Sequence, residues 1–145
     1  MGCIKSHRDL KTWQLSFELA RRSMKAAATF PRTGAIGLSS QVSRCAISVP
    51  SNVAEGFGRG SRLEYLRFLK IARGSLFELD TQLLMARELG YITERGYESL
   101  HKDWIQVSKV LAGLITKLQS KKPTPKPTAP APHPAHSIER LMPNA

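Results

Sequence analysis

The fold of this chain is decided by the stretch SRLEYLRFLKIARGSLFELDTQLLMA, residues 61–86. Seven apolar residues recur in it at alternating steps of three and four, which places them on one face of an α-helix. They are Tyr65, Leu69, Ala72, Leu76, Leu79, Leu83 and Ala86. Ser61 and Glu64 match a capping box at its start, and Gly90 is a suitable stop. The stretch predicts a long helix that buries one face.

Three more stretches repeat this spacing, at about residues 9–29, about 38–57 and from about Thr93 to the start of a proline-rich region. Their apolar faces are Leu10, Trp13, Phe17, Ala20, Met24 and Ala27; then Val42, Cys45, Val49 and Val53; then Leu100, Trp104, Val107, Leu111, Leu114 and Leu118. Asp9 is the expected N-cap of the first helix, and Pro31 marks its exit. No alternating strand pattern is present. The sequence therefore predicts an all-α, up-down antiparallel four-helix bundle.

Pro50 lies inside the second predicted helix, where a proline removes a hydrogen-bond donor and favours a bend. Ser48, Ser51 and Asn52 flank it and are expected to satisfy the freed backbone groups. Gly56 then begins a glycine-rich turn out of the helix.

The charge is divided between two parts of the chain. The whole sequence has 22 basic and 11 acidic residues, a net charge of +11. Residues 120–145 hold seven of the nine prolines and a net charge of +3, and we predict an extended, disordered tail there. We therefore divide the chain into an N-terminal arm at 1–8, a bundle at 9–119 and this tail, and residues 1–119 carry the remaining net charge of +8.

Catalysis is not expected from this sequence. No metal-ligand spacing, phosphate-binding loop or cofactor motif is present, so no metal and no cofactor are predicted. Two cysteines indicate a reducing compartment rather than a disulfide scaffold. Glu55 and Arg59 could be an acid/base pair, but we favour a role in bracing the end of the second helix.

The basic residues point to an anionic partner. Lys and Arg gain affinity for nucleic acid by neutralising phosphates and releasing counterions. The candidate binding residues are Arg44, Arg59, Arg62, Arg67, Lys70 and Arg73 on the second and third helices, with Arg21, Arg22 and Lys25 on the first. Any one of them could instead be a solvated surface charge. No base-reading motif is recognisable, so low sequence specificity is expected.

A second set of apolar residues lies outside the main face of the third helix. Leu63, Leu66, Phe77 and Leu84 fall on an arc about 100° from the core face. They could widen the core-facing arc, but we favour a subunit interface, because exposed apolar patches of this length tend to be covered.

Two blocks of this sequence resemble a known family. The stretch from Gly37 to Arg59, with Pro50, Ser51, Asn52, Glu55 and Gly56 at its centre, closely resembles the signature of the 23S ribosomal RNA intervening-sequence proteins. The stretch 64–79 resembles their next block. The residues 9–13 and 89–91 look like the family's start and last turn, so the resemblance covers about residues 9–118. The tail lies outside this pattern, and Cys45 stands where alanine is usual.

This resemblance implies a bacterial, cytoplasmic, all-helical protein that forms a homopentamer. The family is similar to the accessory proteins of diversity-generating retroelements, which bind nucleic acid and a reverse transcriptase.

The residues Met1–Ser6 also fit an N-myristoylation pattern with Cys3 as a second acylation site. Because the modification is not expected in bacteria, we predict no membrane association.

Three functions follow as hypotheses. The first is an oligomeric protein that binds structured RNA or an RNA/DNA hybrid. The second is an interaction scaffold or accessory subunit of a reverse transcriptase. The third is a purely structural or toxin-related bundle whose charge is incidental.

Overall fold

The computed structural model describes residues 2–121, and four helices account for most of them. A short 3-10 helix, His7–Asp9, precedes α1 at Lys11–Ala27, α2 at Ile36–Gly58, α3 at Arg62–Glu88 and α4 at Glu94–Ser120. No strand occurs in this part of the chain, so the prediction of an all-α four-helix protein is confirmed. The predicted tail lies, apart from Ser120 and Lys121, outside the described residues.

The helices run alternately up and down, and each packs against its neighbours in the sequence. The Ser39 hydroxyl at the start of α2 donates to the carbonyl of Ala27 at the end of α1. The hydroxyls of Ser48 and Ser75 join α2 to α3 at 2.8 Å. On α4, Trp104 donates from Nε1 to the carbonyl of Leu76 on α3, at 2.6 Å. Contacts between α1 and α4 close the ring.

The apolar face predicted for α3 is correct. Six of its seven residues are buried and Tyr65 is partly buried. Gly90 ends the helix with a φ of 73°, and the N–H of Tyr91 donates to the carbonyl of Ala86 in a Schellman motif. The capping box is wrong, because the Ser61 side chain makes no capping bond and Glu64 forms an ion pair with Arg67 instead.

The buried face of α1 differs from the predicted one. Phe17 and Met24 are 45% and 38% exposed, although Ala20 and Ala27 are buried as expected. The residues that face the core are mostly small or polar: Thr12, Ser16, Leu19, Ala20, Ser23 and Ala27. Small side chains let helix backbones approach closely, whereas a pattern of hydrophobicity gives serine no weight as a core residue. The prediction therefore assigned the large apolar side chains of α1 to the core, whereas the structure turns its small residues inward.

The start of α1 also differs from expectation. Leu10 is its N-cap, and Asp9 belongs to the preceding 3-10 helix. The Asp9 carboxylate accepts hydrogen bonds from the backbone N–H groups of Lys5 and Ser6, and these bonds lower its pKa. Asp9 therefore completes a capping box with Ser6 one turn earlier than predicted.

Replacing Ser23 with alanine is expected to stabilise the bundle by about 1 kcal/mol. The Ser23 hydroxyl is fully buried and has no hydrogen-bond partner among residues 2–121, so its removal relieves a desolvation cost. Urea unfolding followed by circular dichroism measures the change. Ser16→Ala is the matched control, because the Ser16 hydroxyl donates to the carbonyl of Trp13 at 3.0 Å and its removal should bring no gain. Equal effects of the two changes would contradict this explanation.

Helix α2 runs without interruption through Pro50, which is buried. Asn52 donates from Nδ2 to both the carbonyl and the hydroxyl of Ser48, at 2.8 and 2.9 Å. Asn52 and Ser48 thus brace the backbone beside the proline, while Ser51 is exposed. The turn out of α2 begins later than predicted, because Gly56 lies inside the helix, which ends at Gly58. A Cβ atom added to Gly56 would lie 2.8 Å from Cβ of Phe68, so glycine here permits the close approach of α2 and α3.

Candidate nucleic-acid interface

The up-down topology gathers the positive charge at one end of the bundle. The first halves of α1 and α3 lie beside the second halves of α2 and α4, as the contacts above establish. This end, formed by residues 2–15, 51–73 and 104–121, has eleven basic and three acidic residues, a net charge of +8. The opposite end, formed by residues 16–50 and 74–103, has eight basic and seven acidic residues, a net charge of +1. We call them the basic end and the neutral end.

The nine candidate binding residues are divided between these two ends. Five lie at the basic end: Arg59, Arg62, Arg67, Lys70 and Arg73. Four lie at the neutral end: Arg21, Arg22, Lys25 and Arg44. Six further basic residues join the basic end from α4 and the N-terminal region: Lys5, Arg8, Lys11, Lys109, Lys117 and Lys121. Sequence reasoning missed these six because they are distant in the chain, and only the helix directions bring them together.

Two arginines of the basic end are held over one aromatic ring. The guanidinium groups of Arg59 and Arg67 lie 5.0 and 5.4 Å from the centre of the Phe68 ring. Arg59 also pairs with Glu55 at 2.8 Å, and Arg67 pairs with Glu64 at 3.4 Å. Both pairs are largely exposed, so each arginine remains open to an additional anion. The interpretation of Glu55 and Arg59 as bracing groups agrees with this geometry.

Lys70 and Arg73 differ from those arginines in their pairing. Both are exposed on α3, and neither forms an ion pair within residues 2–121. Spaced three residues apart, they project from one side of the helix. They are therefore the cations of α3 that are freest to bind phosphate groups.

Arg62 joins the basic end to the end of α4. Its Nη1 donates to the carbonyls of Leu118, at 3.0 Å, and of Lys121. The last carbonyls of a helix lack hydrogen-bond partners within it and carry partial negative charge. A guanidinium group there donates hydrogen bonds to them and also balances that charge. Arg62 thus has a structural role in addition to its charge.

The neutral end has nearly balanced charge, and three of its arginines form local ion pairs. Arg22 contacts Asp103 and donates to the Ser99 hydroxyl, which links α1 to α4. Arg21 pairs with Glu18, and this bond lowers the pKa of the Glu18 carboxyl. On α3, Arg87 pairs with glutamates at positions 88 and 94. This end therefore projects a weak field.

Cys45 lies in a polar seam between α2 and α3. Its thiol donates to Oε2 of Glu78 at 3.0 Å, and Gln82 donates to its sulfur at 3.3 Å. Burial raises the pKa of the thiol, and the Glu78 hydrogen bond acts in the same direction. The protonated thiol is a poor nucleophile.

Within residues 2–121, no three His, Cys, Asp or Glu side chains are grouped as a metal site would require. None of the helices in that range combines the length and apolar character needed to span a bilayer.

The apolar residues predicted for an interface lie mainly on the outside of α3. Leu63, Phe77 and Leu84 are 73%, 54% and 38% exposed, and we call them the α3 apolar surface. Leu66 is partly buried and packs against the core. The Phe77 ring meets Trp104 edge-on at 5.3 Å. Phe17 and Met24 form a second exposed apolar surface on α1, the helix diagonal to α3 in the ring.

Comparison with known families assigns this chain to one of them. The family model described as 23S rRNA-intervening sequence protein matches residues 8–113, most of the chain. The chain belongs to this family. The resemblance carried by the Pro50–Gly56 region is thus confirmed, whereas the comparison with retroelement accessory proteins stays a prediction.

A solved structure supports the same assignment. A protein of unknown function from the S23 ribosomal protein family of Bacteroides thetaiotaomicron is 26% identical and has a TM-score of 0.67. The match covers 72% of this chain and 97% of that protein. Among curated proteins, the search found no match.

Proposed function

We propose that this protein is a non-enzymatic nucleic-acid-binding protein that engages structured RNA or an RNA/DNA hybrid through its basic end. The observation that carries the proposal is the asymmetry of charge, +8 at one end against +1 at the other. A concentrated positive field attracts polyanions and speeds their association. The family's description, which refers to an intervening sequence of 23S rRNA, favours RNA as the polyanion. A bacterial cytoplasm is the compartment that fits this proposal.

Phosphate contacts would supply most of the binding free energy. The basic end offers exposed Lys70 and Arg73, whereas Arg59, Arg62 and Arg67 are partly engaged with carboxylates or carbonyls. Contacts with phosphates fix position on a nucleic acid without reading its sequence. We therefore propose binding with low sequence specificity.

A salt series tests this function directly. Binding of a structured RNA hairpin and of a DNA duplex of similar length is measured by fluorescence anisotropy from low to physiological salt. We expect the logarithm of affinity to fall linearly with the logarithm of salt concentration, with a slope that counts the phosphates neutralised. Absence of binding at about 50 mM salt, or binding without this dependence, would refute the proposal.

The apolar surfaces support a proposal of self-association into a ring, of which a homopentamer is the form expected from the family resemblance. The α3 apolar surface and the Phe17–Met24 surface lie on diagonal helices, so they face in different directions. Different patches that pair head to tail generate a closed ring when the rotation permits. Ring formation by side-to-side contact of bundles would place the basic ends of all copies on the same side.

Phe77→Asp is expected to lower the mass of the oligomer. A carboxylate in place of a half-exposed phenyl ring would have to be desolvated in the interface, which is costly without a partner. Multi-angle light scattering measures the mass, and circular dichroism checks that the helices persist. Leu84→Asp should act in the same direction. Gln41→Asp, at an exposed position on α2 away from both apolar surfaces, is the control. A mass unchanged by both apolar replacements would exclude them from the interface.

A protein partner such as a reverse transcriptase is the second candidate. The observation that favours it is the position of Lys70 and Arg73 on the same helix as the exposed Phe77, because mixed apolar and basic surfaces suit protein interfaces. Co-purification with a reverse transcriptase after nuclease treatment would support it. Recovery of nucleic acid alone from a sample without nuclease would favour the first proposal.

A further inference from the structure

A cleft opens within the basic end, between the turn from α2 to α3 and the end of α4. Its volume is about 270 Å³. Its walls are largely apolar and include Phe57, Tyr65 and Leu118, with Gly56 beside them. Arg62 and Lys121 also line it. The two aromatic rings stand edge to face, with centroids 6.1 Å apart.

The composition of this cleft selects among possible occupants. Aromatic walls suit a flat ring, and the two cations suit an anionic group attached to that ring. Arg62 uses only Nη1 for its bonds to the two α4 carbonyls, so Nη2 and Nε are not engaged by those bonds. The chain's own continuation after Lys121 begins with Lys122 and has a positive net charge. Charge complementarity therefore favours an external anion over that segment.

We propose that this cleft binds a single unstacked nucleotide of an RNA strand. The base would lie against Phe57 and Tyr65, and its phosphate would lie beside Arg62 and Lys121. This proposal rests on the function proposed above and extends it, because a base held in duplex stacking cannot enter a cleft. A strand with unpaired bases should therefore bind more tightly than a fully paired duplex of equal charge.

Two small ligands test the cleft in the full-length protein. Adenosine 5′-monophosphate carries a base, whereas ribose 5-phosphate has the same sugar and phosphate without one. Amide resonances of Gly56, Gly60 and Ser61 are followed by heteronuclear NMR during titration with each. We expect saturable shifts at these positions and an affinity for adenosine 5′-monophosphate at least about fivefold higher, because a base stacks on aromatic rings. Equal affinities, or no shift at the cleft, would overturn the proposal.

A pair of variants separates the cleft from the rest of the protein. Phe57→Leu keeps an apolar side chain but removes the ring, and it should reduce the preference for adenosine 5′-monophosphate by about fivefold or more. Phe17→Leu removes an exposed ring on α1 and should leave that preference unchanged. If adenosine 5′-monophosphate shows no preference while RNA hairpins still bind with salt dependence, only the cleft proposal fails. If the protein binds neither adenosine 5′-monophosphate nor RNA hairpins, both proposals fail.

Discussion

Replacing Gly56 with alanine is expected to destabilise the bundle by about 2–3 kcal/mol, the upper part of the range for overpacking a tight contact. The new Cβ would lie 2.8 Å from Cβ of Phe68, and also 3.1 Å from Cδ2 and 3.2 Å from the carbonyl oxygen of Tyr65. Two of these atoms belong to parts of α3 that cannot swing away, because one is a Cβ and one is backbone. The helices α2 and α3 would have to separate, which would loosen the packing of the core between them.

Gly74→Ala is the matched control for this prediction. Gly74 lies inside α3, and a Cβ added there meets no atom within 4 Å. The same replacement should therefore stabilise the protein by about 0.5–1 kcal/mol, because alanine favours the helix over glycine. Chemical unfolding of both variants measures the difference. A Gly56→Ala protein as stable as the parent would show that α2 and α3 do not depend on this close approach.

The double replacement Lys70→Gln with Arg73→Gln is expected to weaken RNA binding at low salt by at least about tenfold. If both residues contact phosphates of a duplex, their removal should also reduce the salt slope by about 1.8, since each contact contributes about 0.9. Both side chains are exposed and lack ion pairs within residues 2–121, so their replacement should leave the fold intact. Fluorescence anisotropy over a salt series measures both quantities.

A charge-matched control distinguishes location from net charge. Lys25→Gln with Arg44→Gln also removes two positive charges, but from exposed positions at the neutral end. We expect this protein to bind RNA within about twofold of the parent, since distant charges are screened in salt. Equal losses in the two double variants would mean that the total charge, and not the basic end, governs binding.

Most of the helical framework could be predicted from residue spacing. The faces of α2 and α3 were correct because Val42, Val49, Leu69 and Leu76 are large, apolar and regularly spaced, so that one orientation buries far more surface than any other. The buried face predicted for α1 was wrong because the residues that face the core include Ser16 and Ser23, which a hydrophobic pattern does not identify. Some core positions need a small residue so that two helices can approach closely, and others need a large apolar residue. Only the position of the neighbouring helices shows which kind is required.

The candidate site was only partly within reach of sequence reasoning. Arg59, Arg62, Arg67, Lys70 and Arg73 lie close together in the chain, so their clustering was visible beforehand. The addition of Lys109, Lys117 and Lys121 depends on the antiparallel direction of α4. Likewise, the ion pair of Arg22 with Asp103 joins residues 81 positions apart, which no local pattern reports.

The sequence by itself determined that this chain is all helical, that it has an excess of basic residues and that it belongs among the 23S rRNA-intervening sequence proteins. These properties depend on local spacing, composition and a contiguous motif. The tertiary structure alone decided where the charge is concentrated. Opposite helix directions place the first half of one helix beside the second half of the next, so charges remote in the chain add at one end and cancel at the other.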